Sequence, residues 1–183
     1  MAKLILISGP PGCGKSTLTN ALAPQIGAFV LDKDCIDDLF SPDDRGPLYT
    51  QEIEPKVLQG LLNLAERNLR LGNSVMIDVP WTHIMINTPE WVKRVQTLAQ
   101  DTGSKLIVLE CVIGEETLRK RIQERGLKRD KIKLTKEGWN NFKIADRIGA
   151  KNPLPHVSID VEWPPEECAR FAVAFLRRKS SLS

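Results

Sequence analysis

A chain of 183 residues, 42% of them hydrophobic, is long enough for one compact α/β domain with a sizeable core and short for two. Its formal net charge of +3 supplies no whole-protein field for a nucleic acid or an anionic membrane, and no apolar run approaches the roughly 20 residues of a membrane span. Cys13, Cys35, Cys111 and Cys168 form no CxxC and lie near no histidine pair. That excludes a zinc cluster or a disulfide framework and, with a first strand too close to the start for a signal peptide, predicts a reduced, soluble, cytoplasmic protein.

The first element is an apolar β-type run, Lys3 to Ser8, and the residues that follow it are the most informative in the chain. Gly9, Pro10, Pro11, Gly12, Cys13, Gly14, Lys15 and Ser16 spell a complete GxxxxGK(S/T) phosphate-binding loop, with Thr17 next. Such a loop works between a buried strand and a helix N-terminus, where backbone N–H groups and the positive end of the helix dipole converge on phosphates. In that setting Lys15 places a cation between the β- and γ-phosphates, and the Ser16 hydroxyl is a ligand for Mg²⁺. The expected ligand is a nucleoside triphosphate. A helix over Lys15 to Ala23 is closed by Pro24 and Gly27, and a second strand covers Ala28 to Asp32.

That strand ends in Asp32, Lys33 and Asp34. In a parallel sheet, ligands sit beyond the carboxyl ends of the strands, so these side chains share a rim with the phosphate loop. A hydroxyl that accepts a phosphoryl group needs a carboxylate to orient it and take its proton, which makes Asp34 the candidate base. The alternative for Asp34 is a cap for a helix over Cys35 to Phe40. A helix over Thr50 to Leu71, stopped by Gly72 and Asn73, leads to a third strand, Ser74 to Val79, which brings Asp78 to the same rim. Asp32 and Asp78 are either supports for magnesium or braces for a neighbouring side chain. Trp81, Thr82 and His83 follow; Trp81 reads equally as acceptor lining or packing, and a lone His83 carries no catalytic assignment.

A helix over Pro89 to Asp101 and a strand over Lys105 to Val112 precede a helix over Glu115 to Glu124 within the basic run Thr117 to Lys136. Arg121 and Arg125 stand four apart on one face of it. Beside a phosphate loop they fit a closing lid that neutralises charge on a transferred phosphoryl, with Arg129 in reserve; alone they would be a solvated basic face, the reading kept for Lys128, Lys131, Lys133 and Lys136. Trp139 and Phe142 either anchor a helix in the next segment, the preferred reading, or close over a ligand, and Lys151, Asn152 and Pro153 occupy a place suited to a base-contacting loop. A strand over His156 to Val161 and a helix over Pro165 to Lys179 complete the chain. The alternation predicts an α/β fold, a parallel sheet with helices on both faces, in one domain.

GPPGCGKST after strand one, FVLDKD at the end of strand two, SVMID in strand three and LRKRIQERG after strand four resemble, in order and spacing, the P-loop kinase group that includes phage-type polynucleotide 5′-kinase, chloramphenicol phosphotransferase and the zeta toxins. The resemblance implies a three-layer P-loop NTPase fold with strand order 2-3-1-4-5, an acceptor-binding insertion near 35–71 and a lid near 121–142. It further implies ATP and Mg²⁺ as cofactors, Asp34 as general base, Asp78 as the strand-three aspartate and Arg121 and Arg125 as lid arginines. The expected reaction is transfer of the γ-phosphoryl of ATP to an alcohol.

One departure bears on the acceptor. Polynucleotide kinases are expected to carry an arginine three residues after the base, and Asp37 stands there, followed by Asp38, Asp43 and Asp44. Such a cluster disfavours a nucleic-acid end and favours a neutral or cationic small molecule bearing a hydroxyl; its alternative is a solvated loop. A guanine-specifying NKxD is missing, and Asp78 is followed by Val79 rather than the glutamate of a water-activating ATPase. The order of readings is small-molecule kinase, then polynucleotide or nucleoside kinase, then hydrolysing switch. No heptad pattern speaks to oligomeric state.

Overall fold

The computed structural model describes residues 1–40 and 45–178. Strands β1 (Lys3–Ser8), β2 (Ala28–Asp32), β3 (Ser74–Asp78), β4 (Lys105–Val112) and β5 (Val157–Asp160) form one sheet in the order β2-β3-β1-β4-β5. Every neighbouring pair is parallel. Burial on both faces explains why β1 reads as an unbroken apolar run rather than an alternating one. Leu4 and Leu6 point into one core, Ile5 and Ile7 into the other.

The first core packs α3 (Glu54–Arg70), α4 (Trp81–Asn87) and α5 (Glu90–Asp101) on the sheet through Leu58, Leu61, Trp81, Trp91 and Val95. The second packs α1 (Lys15–Ile26), α6 (Glu115–Arg125), α7 (Lys136–Ala145) and α8 (Pro165–Arg178) through Leu18, Leu22, Ile122, Trp139, Ala172 and Leu176. A short helix α2 (Lys33–Phe40) leaves the end of β2. The predicted architecture and strand order are those observed.

The differences have local causes. α1 runs through Pro24 to Ile26, because a proline in the last turn forfeits one hydrogen bond while Gly27, at φ 62°, donates its N–H to Ala23 and makes the actual stop. The helix expected from Thr50 begins as a wide π turn, Tyr49–Ile53, with Pro55 at the start of the regular helix α3 where its missing N–H does no harm. α4 and α7 were not expected as helices, and a 3₁₀ segment, Lys128–Leu134, lies between α6 and α7. β5 is shorter than predicted, and Lys179 of the last predicted helix lies outside the described residues.

Gly138 marks the tightest packing in the α6–α7 region. Thr135 caps α7, its Oγ1 accepting the Gly138 N–H at 3.0 Å, and a Cβ on Gly138 would sit 1.9 Å from the Ile132 carbonyl oxygen. Neither partner is a flexible side-chain tip, so the backbone itself has to move. Gly138→Ala is therefore expected to destabilise the protein by roughly 2–4 kcal/mol despite alanine's better helix propensity. Thermal unfolding checks this, and a raised melting temperature would show that the 3₁₀ segment yields freely.

Candidate active site

The phosphate loop joins β1 to α1 and is closed by a Cys13 N–H to Pro10 carbonyl bond of 3.2 Å. Gly12 and Gly14 have φ of 86° and 113°, a region closed to most side chains. They also have no room for one. A Cβ on Gly12 would lie 2.8 Å from Ile122 Cγ1 and 3.6 Å from Arg125 Cζ, and one on Gly14 would lie 3.1 Å from Arg121 Nη1. The two glycines thus let α6 rest directly on the loop. Lys15 Nζ donates to the Pro10 carbonyl at 3.2 Å, bridging the concavity where the loop's N–H groups converge.

Register fixes the carboxylates: Asp32 pairs with Asp78 across β2 and β3, and Asp78 with Ile7 across β3 and β1. Asp32 Oδ1 accepts the Asp34 backbone N–H at 2.8 Å, the bond of a helix-capping carboxylate. The capping alternative considered for Asp34 is thus taken up by Asp32. The Asp34 side chain instead faces the site, 2.8 Å from Arg45 Nη1 and 3.9 Å from Arg129 Nη2. Burial pushes the Asp34 carboxyl up, but the Arg45 hydrogen bond and charge, with Lys15 and Lys33, outweigh it and hold the group below its ordinary value. Asp78 is the opposite case. Burial raises it from 3.8 to about 6, against Lys15 and a Ser16 hydrogen bond, with Asp32 and Asp34 adding to the rise; Thr19 Oγ1 donates to its Oδ2 at 3.4 Å.

The two α6 arginines part company. Arg121 donates to the Cys13 carbonyl in the loop and, at 2.7 Å, to the Val161 carbonyl beyond β5. It ties the loop to the end of the sheet. Arg125 uses its Nε on buried Asp130, whose other oxygen takes Lys133 at 2.8 Å. Burial alone would raise the Asp130 carboxyl, and these two cations hold it low. Lys133 therefore leaves the solvated patch to which the sequence assigned it.

The acidic segment is not free negative charge. Asp37 is fully buried against Lys33 at 2.7 Å and the Tyr49 hydroxyl, with Arg45 at 3.4 Å. One oxygen of Asp38 receives both Arg45 at 2.8 Å and Arg129 at 2.7 Å. Arg45 thus supplies, from a later segment, a guanidinium beside the candidate base. The repulsion expected from Asp37 and Asp38 is cancelled internally, and Asp43 and Asp44 lie outside the described residues.

Lys15, Ser16, Asp32, Asp34, Asp78, Arg45, Arg121, Arg125 and Arg129 line one open cavity of about 1260 Å³. Thr17, Arg121, Val161, Trp163 and Pro165 line it together with Asp34, Arg45, His83, Asn87, Asp146 and Arg147. Trp163 is 51% exposed. Sequence reasoning gave Trp163 and Pro165 no assignment, and the fold sets both on the cavity wall. That reasoning placed base contacts at Lys151 to Pro153 instead. Within that stretch Asn152 is turned inward, donating to Thr82 Oγ1 at 2.9 Å and Glu110 Oε2 at 3.1 Å to satisfy a buried network, while Lys151 and Pro153 are exposed. Trp81 is packing, with its Nε1 on the Ile77 carbonyl at 3.2 Å, and Trp139 and Phe142 are core anchors. Cys35 is exposed, but the Asp32 charge beside it raises its thiol, which disfavours the reactive thiolate.

A phosphate loop between the first strand and helix of a 2-3-1-4-5 parallel sheet, with arginines descending on it from the helix after β4, defines the P-loop kinase class. The chain belongs to the AAA domain family, whose sequence model matches residues 4–145. An uncharacterised protein of Mycobacterium tuberculosis is 31% identical over 133 residues, covering 67% of this chain and 26% of that protein, so the chain spans about a quarter of its length. A sugar kinase from Janibacter superposes with a TM-score of 0.67 at 16% identity, covering 97% of this chain and 95% of that one. A putative kinase from Chloroflexus aurantiacus gives 0.69 at 20% identity, covering 97% of each chain. Among the described residues no helix is long and apolar enough to cross a membrane.

The raised Asp78 has a consequence for stability. A carboxyl whose folded pKa exceeds its unfolded one favours folding only while protonated, so stability falls as pH rises from near 3.8 to about 6 and stays reduced above. Two units correspond to about 3 kcal/mol. Asp78→Asn is therefore expected to raise the melting temperature of the ligand-free protein at pH near 8 and to lose that advantage near pH 4. Melting curves at the two pH values check it; a gain independent of pH would mean that Asp78 is not the titrating group.

Proposed function

We propose that this protein is an ATP- and Mg²⁺-dependent phosphotransferase that moves the γ-phosphoryl group to a hydroxyl of a small molecule. The observation that carries the reading is the division of labour at the end of β2: Asp32 caps α2, and Asp34 is left facing the cavity that the phosphate loop and Arg125 also face. The loop's N–H groups and Lys15 would hold the β- and γ-phosphates, and the fit is supported by the side-chain-free concavity at Gly12 and Gly14. Arg121, Val161, Trp163 and Pro165 would flank the nucleoside.

Ser16, with Asp32 and Asp78, is an oxygen-only donor set of the kind Mg²⁺ takes, and the burial that raises Asp78, with the smaller push from Asp32 and Asp34, would be offset by a divalent cation. When bound, that ion would offset the charge of the phosphate oxygens. Asp34 would accept a hydrogen bond from the acceptor hydroxyl and take its proton. Because Arg45 holds Asp34 below the ordinary carboxylate range, the residue orients the hydroxyl first and takes the proton late, which suits a loose phosphoryl-transfer transition state. Arg125 would meet the charge on the transferred group. The likeness to a sugar kinase supports a small-molecule acceptor, and the scattered cysteines fit a reducing cytoplasm.

The neutral or cationic acceptor expected from the acidic segment loses its main support, since Arg45 and Arg129 pair those carboxylates. The alternative of a polynucleotide or nucleoside 5′-hydroxyl as acceptor therefore belongs in the test. Mg²⁺·ATP-dependent ADP release is measured with sugars, nucleosides, aminoglycosides, phenicols and 5′-hydroxyl oligonucleotides. Asp34→Asn is expected to lower acceptor-stimulated kcat by about a hundredfold or more with the KM for ATP little changed. Lys15→Ala is expected to abolish turnover. Acceptor-independent ADP release that survives Asp34→Asn would replace the kinase with a hydrolysing switch.

A further inference from the structure

Arg125 reaches the phosphate loop with its terminal nitrogens uncommitted, and the cause lies five residues further on. Asp130 is 1% exposed and binds the Nε edge of Arg125 through Oδ2. Among the described residues Nη1 and Nη2 of Arg125 have no hydrogen bond. A carboxylate on the Nε edge fixes the plane of a guanidinium and leaves its outer nitrogens for a second anion. That plane is held against the loop, with Cζ 3.6 Å from where a Gly12 Cβ would be. The other oxygen of Asp130 is taken by Lys133 at 2.8 Å, and Lys133 lies 4.6 Å from the Phe142 ring centroid, which packs with Trp139 in the core. A continuous path therefore runs from the buried face of α7 to the guanidinium.

We propose that Asp130 is a positioning residue for phosphoryl transfer: through Nε it aims Arg125 at the terminal phosphate of a bound nucleoside triphosphate. The assignment rests on the phosphotransferase reading above. The bland alternative is that Asp130 merely staples the 3₁₀ segment to α6. The two differ in one respect. A staple serves every ligand alike, whereas an aimed guanidinium distinguishes a triphosphate from a diphosphate, because only the former offers the phosphate it points to.

The test is calorimetric titration of the full chain with Mg²⁺·ADP and with Mg²⁺·AMPPNP. Asp130→Asn is expected to weaken AMPPNP by about tenfold while ADP stays within about twofold, and Asp130→Glu to restore part of the loss. Arg125→Ala is expected to show the same split, with the double variant no worse than Arg125→Ala alone, as for two residues acting through one contact. Where Asp130→Asn does not fold, Arg125→Lys carries the test, since a lysine keeps the charge but cannot bond Asp130 and a phosphate at once through a rigid fork. Equal losses for both nucleotides, no loss for AMPPNP, or additive losses in the double variant overturn the assignment and leave the phosphotransferase reading standing. A wild-type protein that binds neither nucleotide overturns both.

Discussion

The site depends first on the parallel register of three strands. Pairing Asp32 with Asp78 and Asp78 with Ile7 puts the ends of β2, β3 and β1 within one residue of the same height, so the phosphate loop and two carboxylates leave the sheet together. Antiparallel pairing would have sent half of these ends to the opposite edge. Hydrophobic burial sets the register, because β1 and β3 are sealed between two cores and a slip of one residue would exchange the faces of β1.

On that frame, three arginines near the loop are held in restrained orientations. Arg121 is fixed by two backbone carbonyls, Arg125 by a buried carboxylate, and Arg45 by three aspartates and the face of Tyr49, with a centroid distance of 5.6 Å. Long cationic side chains lose rotamer entropy on binding an anion. Here much of that loss is taken in folding. The arrangement also separates the rim carboxylates by environment: Asp34, among arginines, is held acidic, while Asp78, buried and next to other carboxylates, is not. Two groups of one chemical type thereby acquire different chemistry within a single rim.

The strands, the loop and the helix carrying Arg121 and Arg125 were legible in the sequence because their signals are local: an apolar run, a glycine pattern at fixed spacing, a four-residue interval. What was not legible is what the fold brings together from afar. Asp34 could not be separated from a capping role, since Asp32 and Asp34 are both aspartates at the same junction and only the 2.8 Å bond shows which one caps. The run of negative charge after Asp34 was misread for a similar reason: its neutralising partners, Arg45, Lys33 and Arg129, come from three segments, and Arg129 is 91 residues from Asp38. Asn152 looked like a ligand contact because nothing in its neighbourhood reveals the buried Thr82 and Glu110 that claim its amide. α4 and α7 escaped because Trp81 and Gly138 break a simple helical pattern, while their packing supplies what propensity does not.

Asp38 offers a final point. A single carboxylate oxygen receives Arg45 and Arg129, so one atom closes both a near loop and a distant segment onto α2. Loss of that oxygen would leave Asp34 as the carboxylate shared by the two guanidiniums, 2.8 Å from Arg45 and 3.9 Å from Arg129, whereas loss of either arginine alone leaves a pair at Asp38 itself. Divergence across this surface is consequently asymmetric. The arginines can drift one at a time with Asp38 still paired, whereas a change at residue 38 hands both guanidiniums to Asp34 and so reaches the rim of the site.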